Sequence, residues 1–153
     1  MKSVTNKMNG TKNIQEIENE IVEDFSLFDD WDGKYEYIID LGKKLSPLDD
    51  QYKIDDNKVK GCQSTVWLHA EHKDGKVFYY ADSDAVIVKG LISMLIRVLS
   101  GHTPDEIINA DLDFINKIGM TSHLAQTRAN GLLAMVKQMK NYAIAFKAFD
   151  KSN

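Results

Sequence analysis

Along residues 14–28, apolar side chains recur at steps of three and four: Ile14, Ile17, Ile21, Phe25 and Phe28. That spacing paints one stripe along a helix. The run Asp29-Asp30-Trp31-Asp32-Gly33 interrupts it. A second helix follows over 34–45, with Tyr35, Ile38, Ile39, Gly42 and Leu45 on one face. A glycine inside a helix costs about 1 kcal/mol relative to alanine, so Gly42 marks a place where another element comes close. Ser46-Pro47 stops this helix, because proline disfavours helical geometry in the residue before it.

After a polar, acidic connection over 46–57 the period changes from 3.6 to 2. Val66, Leu68 and Ala70 alternate with Thr65, Trp67 and His69, and 77–82 alternates in the same way, with Phe78, Tyr79 and Tyr80 suited to a strand. Asp74-Gly75 between two alternating runs predicts a two-residue hairpin turn. That turn sets Thr65 opposite Asp84 and Trp67 opposite Asp82. The short run 57–60 is expected to add a third strand. Ser83 is a candidate N-cap for a helix to Leu99 whose apolar residues cover nearly every side, the pattern of a central core helix. Ser100-Gly101 ends it. Thr103-Pro104-Asp105-Glu106 is a helix start with cap, proline and glutamate in their preferred places. A short helix and a loop are expected over 111–122, and a long helix over 127–148 buries Leu132, Met135, Val136, Met139, Ala143 and Phe146. The order predicts an α+β domain: N-terminal helices, a small antiparallel sheet of about three strands, then C-terminal helices packed on it. It occupies 14–150, after a flexible tail over 1–13.

Composition narrows what this domain can do. The chain has 153 residues and one cysteine, which removes an internal disulfide, a cysteine-rich zinc site and a protein-ligated cluster. The net charge of −4 argues against nucleic acid and against an anionic membrane surface. Residues 1–13 lack the apolar core of a secretory signal, and the longest apolar stretch is broken by Lys89 and Arg97. The expected location is the cytoplasm, where a lone thiol stays reduced.

Candidate chemistry centres on that thiol. Cys62 follows Gly61 in a polar, turn-like segment ahead of the hairpin, not in the apolar run where a space-filling cysteine belongs. The hairpin register brings it toward the start of the 83–99 helix. Free backbone N–H groups there favour a thiolate, while Asp82 and Asp84 oppose one. Asp82-Ser83-Asp84 reads first as a capping segment and only weakly as a cation site. His69, His72, His102 and His123 lack ligand spacing with Cys62 and read as ordinary histidines. Arg128, in the first turn of the last helix, is poorly placed for the helix dipole; it reads as a surface arginine or as an anion- or partner-binding group.

Three motifs in order carry a family likeness: Gly61-Cys62-Gln63-Ser64-Thr65-Val66-Trp67, then Asp82-Ser83-Asp84-Ala85-Val86-Ile87-Val88-Lys89-Gly90-Leu91, then His123-Leu124 through Arg128-Ala129-Asn130-Gly131-Leu132. They resemble the SufE family of sulfur-acceptor proteins over about 14–145, and Leu41-Gly42-Lys43 with Pro47-Leu48 looks like an upstream family segment. The resemblance implies an α+β fold related to iron–sulfur scaffold proteins of the IscU type. It also implies a carrier that takes persulfide sulfur onto Cys62 from a pyridoxal-phosphate-dependent cysteine desulfurase (SufS-like). Such a carrier stimulates its desulfurase and delivers sulfur to an iron–sulfur scaffold complex (SufBCD-like). Gly61, Gln63, Ser64, Trp67, Asp82, Ser83, Asp84, Lys89 and Arg128 then belong to the loop and partner surface. The protein would be a sulfur-transfer accessory protein more than a stand-alone enzyme, with no cofactor and no metal of its own. Thr65 stands where the family has glutamine, and Ala125-Gln126-Thr127 replaces a Ser-Pro-Ser-like run.

The chemistry needs an accessible thiolate on a movable loop, and a persulfide needs shelter from stray thiols. The expectation is therefore that Cys62 rests in an apolar pocket, beside Trp67. Two other readings stay open at this level: a thiol enzyme in which a histidine activates Cys62, and an interaction module that activates its partner without carrying sulfur. The patterns do not choose between a monomer and a homodimer.

Overall fold

The structure, a computed structural model, describes residues 12–152. Most of the tail expected over 1–13 lies outside the described residues. Helix α1 spans Ile14–Phe25 and opens with a capping box, in which Asn13 accepts from the Glu16 N–H and the Glu16 carboxylate accepts from the Asn13 N–H. It stops a turn short of the expected end at Phe28. Helix α2 spans Trp31–Lys43 and starts three residues earlier than expected. Asp30, read as part of a break, is its N-cap and accepts from the Gly33 N–H at 2.9 Å.

Strands β1 (Val66–Lys73) and β2 (Lys76–Ser83) pair antiparallel, with Trp67 opposite Asp82 and Lys73 opposite Lys76. The turn is made by Asp74 and Gly75, both at positive φ, as a two-residue hairpin of matching twist requires. The sheet has two strands, not about three. Residues 55–57 form a 3-10 turn instead, and the next two residues keep a vestige of pairing: an isolated bridge joins Lys58 to Trp67, and the Val59 N–H donates to the Val66 carbonyl. One rung cannot extend a ladder, because Gly61 turns the chain away at φ 97°.

Helix α3 (Val86–Leu99) is the centre of the molecule. It packs against α1, α2, β2 and the C-terminal helix α7 (Gln126–Ser152), which explains why its apolar residues run nearly all the way round. Ser83 is not its cap. The cap position is Ala85, with no side-chain cap, and Ser83 closes β2, donating to the Thr65 carbonyl at 2.8 Å and accepting from the Ala85 N–H. Between α3 and α7 lie three short helices: α4 (Pro104–Ile108), with its expected capping box, α5 (Phe114–Lys117) and α6 (Met120–His123). The glycine of α2 has the partner its position demanded. An added Cβ on Gly42 would sit 2.7 Å from the Gly90 nitrogen, and one on Gly90 would sit 2.1 Å from the Ile38 carbonyl oxygen. The two helices cross backbone to backbone.

The hairpin lies across α3 and α7. Val66, Leu68, Val77, Tyr79 and Ala81 face inward and are buried, and the Tyr79 hydroxyl donates to the Met139 carbonyl at 2.6 Å, tying β2 to the middle of α7. This docking brings the segment before β1 against the first turns of α7.

Candidate functional site

Gly61 and Cys62 sit where the chain turns from the Lys58–Trp67 bridge toward β1. Gly61 takes φ 97°, a conformation that side chains resist, and its missing side chain faces Ala134 of α7. The turn aims Cys62 back at α7. Its Sγ lies 3.5 Å from the Gly131 carbonyl oxygen, to which the thiol donates. Gly131 is an interior helical glycine that no unusual φ requires. A Cβ there would meet Sγ at 3.5 Å, so the glycine leaves open the space beside the sulfur.

That space is a small cavity of about 70 Å³. Val88 of α3 with Gly131 and Met135 of α7 form its apolar floor, and Gln63, Ser64, Thr127 and Arg128 surround its mouth. Cys62 is half-buried, and burial pushes its thiol pKa above the ordinary value. The balance left open by the sequence therefore resolves through a third effect, desolvation. Val88 stands in the first turn of α3, as the hairpin register implied, yet burial is what sets the direction of the thiol's shift.

The other predicted residues divide between this cavity and its frame. Trp67 does not line the cavity, contrary to the expected shelter; it lies on the hairpin beside Lys53, whose ammonium is 5.8 Å from the ring centroid. Asp82, opposite Trp67, is held by Lys53 at 3.2 Å and Lys89 at 3.3 Å and accepts from the Ser83 N–H at 2.8 Å. Burial pushes its carboxyl upward, but these partners outweigh burial and hold it below the usual range. Asp84 accepts from the Thr65 N–H at 3.1 Å, and the Asp84 N–H donates back to the Thr65 carbonyl at 3.3 Å. Ser83 and Asp84 thus clasp Thr65 across the open end of the hairpin, three residues after Cys62 in the chain. No group of three or more metal-ligating side chains is present among the described residues.

The histidines bond elsewhere. His69 pairs with Glu71 and stacks on Tyr52, His102 contacts the carbonyls of Leu99 and Lys12, His123 contacts the Gly119 carbonyl and stacks on Trp31, and His72 stacks on Phe146. None is placed as a base for Cys62. Sequence reasoning missed Val88, Thr127, Gly131 and Met135 as cavity walls. Gly131 alone carried a signal, being a glycine inside a helical pattern; the others look like ordinary helix residues until the elements are packed.

Among the described residues no helix is long and apolar enough to cross a membrane. Residues 19–143 match the SufE family model, described as an Fe-S metabolism associated domain. The chain is 46% identical over 127 residues to an uncharacterized SufE-like protein of Synechocystis, covering 83% of this chain and 80% of that one. It is 39% identical over 130 residues to an uncharacterized SufE-like protein of Rhizobium meliloti, covering 82% and 93%. It is 42% identical to SufE-like protein 1, chloroplastic/mitochondrial, of Arabidopsis thaliana, spanning 82% of this chain but 34% of that longer protein. The fold matches the solution structure of a hypothetical protein from Thermus thermophilus with a TM-score of 0.70 at 20% identity, over 84% of this chain and 94% of that one. The chain belongs to the SufE family, whose domain is associated with Fe-S metabolism.

Proposed function

We propose that this protein accepts sulfane sulfur on Cys62 from a pyridoxal-phosphate-dependent cysteine desulfurase and hands it on for iron–sulfur cluster assembly. The observation that carries the reading is the Cys62 thiol seated over a small cavity, with Val88, Gly131 and Met135 against it and no histidine in its lining. A hydrolytic thiol needs an adjacent base. Sulfur exchange needs only a thiolate that can reach its donor.

In the transfer, the Cys62 thiolate attacks the terminal sulfur of the donor's cysteine persulfide. The new Sγ–S bond forms as the donor's S–S bond breaks. The donor cysteine leaves as a thiolate and takes up the proton that Cys62 gave up, so the exchange is redox-neutral. At rest, burial keeps the Cys62 thiol protonated and slow toward stray electrophiles. Docking of the donor at the 61–64 loop supplies the polar surroundings in which it ionises, with Arg128 at the cavity mouth favouring the anion. Once formed, the outer sulfur lies against Val88, Gly131 and Met135, away from water. A single thiol suits a reducing compartment such as the cytoplasm.

The test is to incubate the protein with a cysteine desulfurase and free cysteine and to measure its intact mass. Wild type gains one sulfur atom, which a reductant removes, and Cys62→Ser gains none. A desulfurase that turns over cysteine while wild type stays unmodified refutes the proposal. The same Cys62→Ser protein separates a carrier from a plain activator, since an activator keeps its stimulating effect without the thiol.

A further inference from the structure

Gly61, next to the thiol in the chain, lines a second, larger depression of about 720 Å³, open to solvent. Its walls are the 56–61 segment and the outer face of α7. Lys58, Lys60 and Lys137 line it against a single carboxylate, Asp56, in a chain whose net charge is −4. Lys58 is paired with Asp55 at 3.1 Å, but Lys60 and Lys137 form no ion pair among the described residues. Leu133, 62% exposed, and Ala134 line the same depression. Amide side chains complete the lining. A small-molecule site would be enclosed and mostly apolar; an open trough with lysines at its rim and one exposed leucine is suited to a segment of another protein.

We propose that this trough docks an acidic segment, carrying at least one apolar side chain, of the protein that donates sulfur to Cys62. The inference rests on the function proposed above and names where the donor is gripped. Charge complementarity selects the occupant: carboxylates meet Lys60 and Lys137, and the apolar side chain covers Leu133. Continuity with the thiol gives the docking a purpose. Gly61 belongs to the trough and is bonded to Cys62, and its Cα faces the Ala134 methyl across a gap that an added Cβ would close to 3.2 Å. A segment lying in the trough therefore touches the backbone that holds the thiol in its cavity. None of the trough residues lines the thiol cavity, so the grip and the chemistry can be varied separately.

The experiment compares wild type, the double variant Lys60→Glu/Lys137→Glu, and Leu133→Ser in binding to a cysteine desulfurase at low and high salt. Sulfur arrival at Cys62 is followed by intact mass. Inorganic polysulfide serves as a small sulfur donor that needs no docking. Expected is a wild-type Kd that rises with salt. The double variant should bind about tenfold more weakly, with a flattened salt dependence. Leu133→Ser should weaken binding severalfold without changing the salt dependence. All three should load equally from polysulfide. If wild type receives sulfur from the desulfurase and the double variant binds and loads with unchanged Kd and salt dependence, the trough is not the docking site, while the carrier function stands. If wild type receives sulfur from polysulfide but none from the desulfurase, the carrier proposal fails and the docking proposal with it.

Discussion

Gly90→Ala is the sharpest probe of how this fold holds its site. Alanine is the better helix former, and in an open helix interior the change would stabilise by about 1 kcal/mol. Here the new Cβ would lie 2.1 Å from the Ile38 carbonyl oxygen and 2.6 Å from the Ile38 Cγ2. Ordinary contact begins beyond about 3.4 Å, so α2 and α3 must separate by roughly an ångström. The obstructing atom is backbone, and no rotamer change can clear it. Overpacking in a core typically costs about 1–3 kcal/mol, occasionally more; an unyielding obstacle places this case at the upper end. Set against the propensity gain, the net loss is about 2 kcal/mol. At roughly 2–4 °C per kcal/mol for a chain of this size, Tm falls by about 4–8 °C. Val88 and Lys89 adjoin Gly90, one in the floor of the thiol cavity and the other on Asp82. The separation should therefore also speed alkylation of Cys62. Thermal denaturation by circular dichroism and the rate of reaction with iodoacetamide read the two effects. A variant that folds with an unchanged or raised Tm shows that the helices do not cross backbone to backbone.

Three further outcomes are expected. Burial raises the Cys62 pKa, so iodoacetamide should label the folded protein more slowly than the urea-unfolded chain between pH 7 and 9, and equal rates would contradict the sheltered thiol. Asp82 is held below the usual carboxylate range once its partners outweigh burial; its contribution to stability is present at neutral pH and is lost as pH falls through its lowered folded-state pKa. Asp82→Asn should lower Tm at pH 7 by a few degrees, and the difference from wild type should shrink in acid. Glu18 is 4% exposed, accepts from the Phe114 N–H at 3.2 Å at the start of α5, and is pushed above the ordinary carboxyl value by burial, which outweighs that hydrogen bond. A raised folded-state pKa favours the native state below the unfolded value and loses that contribution as pH rises through the folded one. Glu18→Gln should flatten this part of the Tm–pH profile just above the ordinary carboxyl range, and an unaltered profile would place the titration elsewhere.

Local rules made much of the fold legible. Period-3.6 and period-2 stretches located the main helices and both strands, and Asp74-Gly75 set the register that pairs Trp67 with Asp82. The errors fall where a side chain had two roles open to it. Asp30 could break a helix or cap one, and it caps α2. Ser83 could cap α3 or close β2, and the Thr65 carbonyl opposite claims its hydroxyl. The 57–60 run could be a strand, but the turn at Gly61 leaves it one rung of pairing.

The sequence by itself determined that one thiol stands in a turn before a hairpin, inside motifs of the SufE family. Those are matters of residue order and local backbone preference. Only the tertiary structure decided what the thiol rests on. Val88, Gly131 and Met135 reach Cys62 from two helices distant in the chain, and no period or spacing encodes that meeting. Trp67, next door in sequence and aromatic, points into a different cluster because alternate residues of a strand face opposite ways. The sign of the thiol's pKa shift follows from the same packing: desolvation depends on what covers a group, and covering is a property of the assembled helices.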